Sequence, residues 1–220
     1  MTSERENNAI IKLFNPKSIT VLPNFVKLPG KKQYPGNKPS GCFKLLFFSR
    51  VEEKKGLDIL LSALATVTFP YSLTVAGDGD KDYIESLKKI TENNHIDDKI
   101  NWAGFYSENK FDLLHKHDLF VLPSHDENFG NAVIESLGVG TPVLISEQVG
   151  LADYVKRNNL GWICHTNAAS VSWAINDIIK NQEIECRRIR NDAPGIIDED
   201  FNEKNLVKKY INMYQQLVKQ

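Results

Sequence analysis

The sequence predicts an α/β protein built on a doubly wound parallel sheet of the Rossmann-like type. Short, continuously apolar runs alternate along the chain with amphipathic stretches, and the joins between them are short. Continuous apolar runs are typical of strands that are covered on both faces. Strands and helices in alternation form right-handed βαβ units and a parallel sheet. Ligands of such sheets bind beyond the carboxyl ends of the strands, so we expect the functional residues there.

The predicted strands are short and rich in β-branched, aromatic and aliphatic residues. They comprise residues 18–23, 44–49, 71–77, 100–104, 118–124, 142–146 and, as a shorter candidate, 161–165. The predicted helices are amphipathic and comprise residues 56–67, 81–94, 108–117, 131–140 and 202–220. The first helix has apolar residues at the i, i+3, i+4, i+7 spacing of one buried face, namely Leu57, Leu60, Leu61, Leu64 and Val67. Residues 30–41, rich in glycine, proline and lysine, are predicted to form an exposed loop.

Composition and charge exclude several classes of function. The chain has 220 residues, of which 41% are hydrophobic and 25% charged, the balance of a globular protein with one large domain or two small ones. Its net charge of −1 provides no bulk attraction for nucleic acid or an anionic membrane, so any phosphate must be bound at a local site. No run approaches the roughly 20 apolar residues of a membrane helix, and the charged N-terminus is not a signal peptide. We therefore expect a cytoplasmic protein.

Neither the cysteines nor the histidines predict a metal site. Cys42, Cys164 and Cys186 are widely spaced and odd in number, which favours a reducing compartment over a zinc motif or a disulfide framework. His115 and His117 fall on different faces of a predicted helix. We expect these histidines on the exposed surface rather than around a metal ion.

Basic residues follow the end of the predicted strand 44–49. Arg50 comes directly after the strand, and Lys55 precedes the start of the next helix. A planar guanidinium, a flexible ammonium group and the N–H groups of a helix terminus can together grip a diphosphate. The alternative is a solvated loop in which Arg50, Lys54 and Lys55 pair with Glu52 and Glu53.

A Gly-x-Gly turn follows the next predicted strand, at Gly77 and Gly79. It lacks the third glycine of a dinucleotide-binding fingerprint, so the motif alone is a weak signal. A tight turn that lets a ligand approach Gly77 and an ordinary turn from strand to helix both fit the residues.

Two carboxylates eight residues apart are the most informative feature of the chain. Glu127 lies in a polar loop after the strand 118–124, and Glu135 lies in an apolar helical stretch, where a charge is costly unless it has a partner. The carboxylate of Glu135 can accept two hydrogen bonds from a vicinal diol such as ribose, and Glu127 can meet a sugar hydroxyl. We interpret the partner of Glu135 as a sugar nucleotide.

The alternatives for this pair stay open on spacing alone. Glu127 can be exposed, and Glu135 can pair with a nearby lysine or arginine. Glu127 and Glu135 as the acid and nucleophile of a glycosidase would leave Arg50, Lys55 and the helix terminus without a role. That terminus is predicted near Gly130, with backbone N–H groups pointing outward at the positive end of the helix dipole.

Three segments together resemble the retaining GT-B glycosyltransferases of glycosyltransferase family 4. "LFFSRVEEKKGLDILLSAL" is similar to that family's strand, arginine, lysine-glycine and helix segment. "LTVAGDGD" with "INWAGFYS" resembles its next two strand ends. "DLFVLPSHDENFGNAVIESLGVGTPVLIS" resembles its signature of two glutamates separated by seven residues, and the whole match runs from about residue 17 to the C-terminus.

The resemblance implies a role for each matching residue. Arg50 and Lys55 would clamp the diphosphate as charge builds on the leaving group, and Glu127 would position the donor sugar, so these three are the predicted catalytic residues. The predicted donor-binding residues are Asn128, Phe129, Gly130, Asn131, Glu135 for the ribose hydroxyls, Gly77, and Tyr106 through its backbone against the base. The family needs neither a bound metal nor another cofactor. Asn128, and Ser49 before Arg50, stand where the family often has glycine, and residues 147–155 match loosely.

The resemblance also implies a domain organisation. Residues 1–16 would be the remnant of an N-terminal acceptor domain, residues 17–200 the donor-binding domain, and residues 201–220 a helix that packs back on the missing domain. The chain would then be the donor-binding half of an enzyme that transfers a sugar from a UDP-sugar or GDP-sugar to a saccharide or lipid-linked acceptor. Peripheral membrane association of the full enzyme is compatible with this. The alternative is a non-catalytic nucleotide-binding or assembly module.

Overall fold

A computed structural model describes residues 1–14, 16, 19–30, 41–106 and 109–218. Its sheet has six strands, β1 Phe43–Phe48, β2 Tyr71–Ala76, β3 Ile100–Gly104, β4 Leu119–Leu122, β5 Val143–Ser146 and β6 Gly161–Cys164. The strand order is β3-β2-β1-β4-β5-β6, and all neighbours are parallel. This arrangement confirms the predicted doubly wound α/β class.

The helices connect and cover the strands. They are α1 Glu4–Leu13, α2 Leu57–Leu64, α3 Lys81–Asn93, α4 Lys110–His115, α5 Asn131–Gly138, α6 Ala152–Arg157, α7 Ala168–Asn181, α8 Glu183–Phe201 and α9 Glu203–Val218, with 3₁₀ turns at Glu53–Lys55 and Asp97–Lys99. The strands β4 and β5 are buried along their whole length, as continuous apolar runs predict. The predicted apolar face of α2 is buried as well.

The strand order fixes where a ligand can bind. The chain moves outward from β1 to β2 and β3, and then returns to place β4 on the other side of β1. The loops after β1 and β4 therefore diverge to opposite faces of the sheet and leave a crevice at its carboxyl edge. Arg50 follows β1, and the loop that contains Glu127 follows β4.

Several predictions of secondary structure were wrong or incomplete. The predicted strand 18–23 is irregular over its described part, 19–23, because Leu22 N donates to the carbonyl of Met1 at 2.8 Å rather than to a sheet edge. Helices α6, α7 and α8 were not predicted, and α8 continues through Pro194. The predicted loop 30–41 lies, except for its two end residues, outside the described residues.

His117 is not on the exposed surface, contrary to the prediction. Its imidazole is buried between the carbonyl of Leu113, 2.7 Å from Nδ1, and Thr74 Oγ1, 3.0 Å from Nε2. Burial lowers the pKa of His117, against the hydrogen bond to Leu113. This histidine is a satisfied core residue.

The two terminal regions pack against the rest of the chain. Arg5 on α1 donates to both the backbone and the side chain of Gln148, beyond β5. On α9, the ring of Tyr210 stacks on Phe25 at 5.1 Å, and its hydroxyl donates to Pro23 O at 3.2 Å. Across the part of the chain described here, no helix has the length and apolar character needed to cross a membrane.

Candidate functional site

A cavity of about 770 Å³ lies at the crevice between the β1 and β4 loops. Its wall combines strand ends, the first turn of α5 and the start of α4. All of the predicted site residues line it: Arg50, Lys55, Gly77, Tyr106, Glu127, Asn128, Phe129, Gly130, Asn131 and Glu135. The structure therefore brings the sequence-predicted residues to one place, while their individual roles remain predictions.

Arg50 is the most exposed of the predicted catalytic side chains. Its Nη1 lies 2.6 Å from Glu52 Oε1, and Lys54 Nζ lies 3.4 Å from Glu52 Oε2. The alternative in which the loop cations pair with the loop glutamates is thus correct for these two residues. Because 69% of the Arg50 side chain is exposed, this ion pair is weak and the guanidinium can reorient toward the cavity.

Lys55 is held differently, by the packing of the β1 loop against the β4 loop. Gly56 has a left-handed φ of 69°, and a Cβ there would lie 2.2 Å from Pro123 O. Ser124 Oγ and the N–H of His125 both donate to the carbonyl of Lys54, at 2.7 and 2.8 Å. The close approach of the two loops buries Lys55 and directs its ammonium group across the crevice.

The partner of Lys55 is Glu127, not a glutamate of its own loop. The two side chains form a direct ion pair, with exposed fractions of 9% for Lys55 and 21% for Glu127. The backbone of Glu127 is fixed as well, since Gly150 N donates to its carbonyl at 2.7 Å. Two residues predicted to act together therefore meet, although 72 positions separate them. The alternative of an exposed Glu127 is wrong.

Helix α5 presents an uncapped N-terminus to the cavity. It begins at Asn131 after Gly130, whose φ is 95°, and no side chain caps it. The first N–H groups of a helix have no partner within the helix and carry the positive end of its dipole. Phe129 is buried and packs edge-on against Phe201, with ring centroids 6.2 Å apart, which anchors the loop before the helix.

Glu135 lies on the next turn of α5 and is 8% exposed. Lys110 Nζ on α4 donates to its Oε1 at 2.8 Å. Burial raises the pKa of Glu135, and the hydrogen bond and charge of Lys110 oppose that rise. The alternative of a basic partner is therefore correct, and a sugar nucleotide as a further partner of Glu135 stays a prediction.

Lys110 is the site residue that sequence reasoning missed. It lines the same cavity as Arg50 and Lys55, so the ion pair of Glu135 belongs to the candidate site and not to a distant part of the core. Lys110 begins a predicted helix shortly after β3, and that position at a strand's carboxyl edge was the available signal.

Gly77 and Tyr106 form the side of the cavity beyond β2 and β3. A Cβ on Gly77 would lie 1.8 Å from Ser49 O, so the glycine is required by the approach of two strand ends whether or not a ligand binds. Tyr106 is half-buried, and the neighbouring Phe105 is 76% exposed. No group of three or more histidine, cysteine or acidic residues is placed to hold a metal ion within the described ranges.

The parallel sheet and the polar crevice where its strand order reverses define a doubly wound α/β domain with a candidate ligand site. Residues 31–195 match the family model described as glycosyl transferases group 1. The chain belongs to that family.

Curated relatives agree with this assignment. The chain is 29% identical over 175 residues to an uncharacterized glycosyltransferase of Methanocaldococcus jannaschii, covering 77% of this chain and 44% of the relative. It is also 29% identical over 194 residues to a glycogen synthase of Mycobacterium tuberculosis, covering 84% of this chain and 46% of the relative. The chain thus spans less than half the length of these relatives.

Solved structures share the fold. The sucrose-phosphate synthase of Thermosynechococcus elongatus superposes with a TM-score of 0.84 at 19% identity, over 99% of this chain and 57% of the other. Anabaena HepE, crystallised in complex with UDP and glucose, superposes with a TM-score of 0.84 at 20% identity, over 98% of this chain and 62% of the other. At these identities the likeness concerns the fold.

Proposed function

We propose that the chain is the donor-binding half of a glycosyltransferase that uses a nucleotide-diphosphate sugar. The observation that carries the proposal is the composition of one cavity at the reversal of strand order. There, the cations Arg50 and Lys55 and the carboxylates Glu127 and Glu135 line the same cavity as the N-terminus of α5. Membership of the glycosyl transferases group 1 supports the same function.

The arrangement suits departure of a nucleoside diphosphate. Negative charge builds on the distal phosphate as the glycosidic bond breaks, and preformed cations and N–H groups stabilise that charge. Arg50 can turn from Glu52 to the phosphates, and Lys55 already reaches across the crevice. The N-terminus of α5 adds the positive end of a helix dipole beside them. These groups supply the electrostatic stabilisation within the chain, and we propose that no metal or other cofactor takes part.

The two carboxylates fit the two polyols of such a donor. Glu127 lies at the cavity beside Asn128 and Asn131, where it can accept a hydroxyl of the transferred sugar once Lys55 engages phosphate. Glu135, deeper in the wall, can accept the hydroxyls of the ribose. We assign the base to the backbone of Tyr106, which lines the same cavity. Glu135 thus keeps Lys110 and gains a neutral ligand group, whereas Glu127 gains one as Lys55 turns to the phosphate.

The finer assignments belong to the proposal as well. We propose that the enzyme is a retaining member of glycosyltransferase family 4 and that this chain is its C-terminal domain. The acceptor, a saccharide or a lipid-linked saccharide, would be bound by an N-terminal domain. Residues 1–16 would be the remnant of that domain, and residues 201–220 would form a helix that packs back on it. We place the full enzyme in the cytoplasm, with peripheral attachment to the membrane as part of the proposal.

Nucleotide binding tests the proposal directly. We expect UDP or GDP at millimolar concentration to raise the melting temperature of this chain, because a ligand that binds the folded state stabilises it. We expect Glu135→Ala to remove most of that shift. Glu85→Ala, which removes an exposed acid on α3, should retain the shift. A wild-type chain that neither nucleotide stabilises would contradict the proposed function.

A further inference from the structure

Besides Arg50 and Lys55, a third basic residue, Lys110, lines the cavity. The proposed clamp on the diphosphate does not include it. Lys110 begins α4, and its side chain is 26% exposed. Its Nζ contacts the carboxylate that is proposed to hold the ribose, at 2.8 Å. A basic residue in direct contact with a ligand-binding carboxylate controls the charge and direction of that carboxylate.

We infer that Lys110 is a positioning residue of the nucleotide site, which holds the Glu135 carboxylate charged and oriented to accept hydrogen bonds from a ribose diol. The inference rests on the proposed function, since it concerns the same site. It adds Lys110, on α4, to the site residues of α5. It also explains how the buried acid Glu135 can stay charged and bind neutral hydroxyl groups.

The geometry leaves room for the diol. A carboxylate offers about four lone-pair sites, and Lys110 occupies one of them on Oε1. Both Lys110 and Glu135 line the cavity, so the pair faces the ligand space instead of being sealed in the core. Because Lys110 fixes one oxygen, the remaining lone pairs keep a fixed direction, which lowers the entropy lost when a ligand binds.

The electrostatics favour the same role. Burial raises the pKa of Glu135, and the hydrogen bond and charge of Lys110 are the influences that lower it. Other titratable or charged groups stand on the elements around α5, among them Asp112 and His115 on α4 and Arg190 on α8, and the cavity is also lined by Arg50, Lys55, Asp78 and Glu127. Without Lys110 the carboxylate would take up a proton at a higher pH, and a protonated acid makes weaker hydrogen bonds to hydroxyl groups.

The test compares nucleotides that differ in one ribose hydroxyl. Calorimetric titrations would measure the Kd of UDP and 2′-deoxy-UDP, and of GDP and 2′-deoxy-GDP, from about pH 5 to about pH 8, a range in which a raised carboxyl pKa is visible. The ratio of the two Kd values isolates the hydroxyl, because the phosphates titrate alike in both nucleotides. The variants are Lys110→Met and Lys110→Arg, with Lys116→Met on the exposed C-terminal side of α4 as the matched control.

We expect the wild-type ratio to be at least about tenfold near neutral pH, the effect of one hydrogen bond to a charged group. In Lys110→Met it should fall severalfold at neutral pH and recover as the pH rises. Lys110→Arg should restore most of the ratio, and Lys116→Met should match the wild type. A Lys110→Met variant that keeps the wild-type ratio at every pH would overturn the inference alone, as would a wild-type ratio near one. A wild type that binds none of the four nucleotides would overturn the proposed function and this inference with it.

Discussion

At the scale of single residues, Glu135 shows how a site can carry a cost in stability. Its side chain is almost fully buried, and even with Lys110 in contact the balance of influences raises its pKa. An acid whose pKa is higher in the folded chain than in the unfolded chain stabilises the fold most when it is protonated. Below the ordinary pKa of about 4.5 that stabilisation is complete, and it is lost as the pH rises through the folded-state value.

This balance predicts the behaviour of Glu135→Gln. Near neutral pH the variant should unfold at the same temperature as the wild type or at a higher one, because glutamine removes the burial of a charge. As the pH is lowered toward 4.5, the melting temperature of the wild type should rise relative to that of the variant. Thermal melts at several pH values measure this difference. Nucleotide binding should weaken in the same variant. A glutamine variant that is clearly less stable than the wild type at neutral pH, and not at acid pH, would contradict this account.

The residue scale also shows where sequence reasoning stops. The types and positions of Arg50, Lys55, Glu127 and Glu135 after strand ends identified the cavity, because the carboxyl ends of parallel strands meet at one edge. The sequence did not predict which basic side chain pairs with which acidic one. The pairs Lys55 with Glu127 and Lys110 with Glu135 depend on how far each loop reaches in three dimensions, and sequence spacing carries no such information.

At the scale of elements, the site depends on two loops that touch through their backbones. Gly56 joins the 3₁₀ turn to α2 in a left-handed conformation and faces the carbonyl of Pro123. A side chain there would force apart the loop that carries Lys55 and the loop that carries Glu127. The glycine thus joins the packing of the fold to the geometry of the site.

Gly56→Ala should therefore lower the free energy of unfolding by about 1–3 kcal/mol, the cost of strain at such a position together with overpacking. The affinity for nucleotide should fall as well, because Lys55 moves. Gly41→Ala is the matched control, since a Cβ there would meet nothing within 4 Å. Urea denaturation of both variants measures the difference, and equal stability of the two would contradict the proposed packing.

The elements differ in how well the sequence predicted them. The strand runs of the sheet and the helices α2, α3, α4, α5 and α9 followed from apolar periodicity, within a few residues at their ends. Helix α8 did not, because Pro194 and Gly195 argue against a helix locally, and tertiary packing of Ile189, Ala193 and Ile197 overrides that preference. The predicted strand 18–23 has the composition of a strand, but in its described part, 19–23, Leu22 N donates to the carbonyl of Met1 instead of joining the sheet.

At the scale of the whole molecule, one topological feature organises the site. The order of the six strands reverses between β1 and β4, and every predicted site residue lies at the crevice that this reversal opens. The chain spans less than half the length of the curated relatives described above. The central claim is that this crevice holds a nucleoside diphosphate.

A crystal structure of the chain with UDP or GDP, whichever binds more tightly in calorimetry, tests that claim most directly. The account predicts the diphosphate within hydrogen-bond distance of Arg50, Lys55 and the first N–H groups of α5, and the ribose hydroxyls on Glu135 while Lys110 keeps its contact. A nucleotide bound away from the crevice, or one whose ribose faces solvent while Glu135 contacts Lys110 alone, would contradict it.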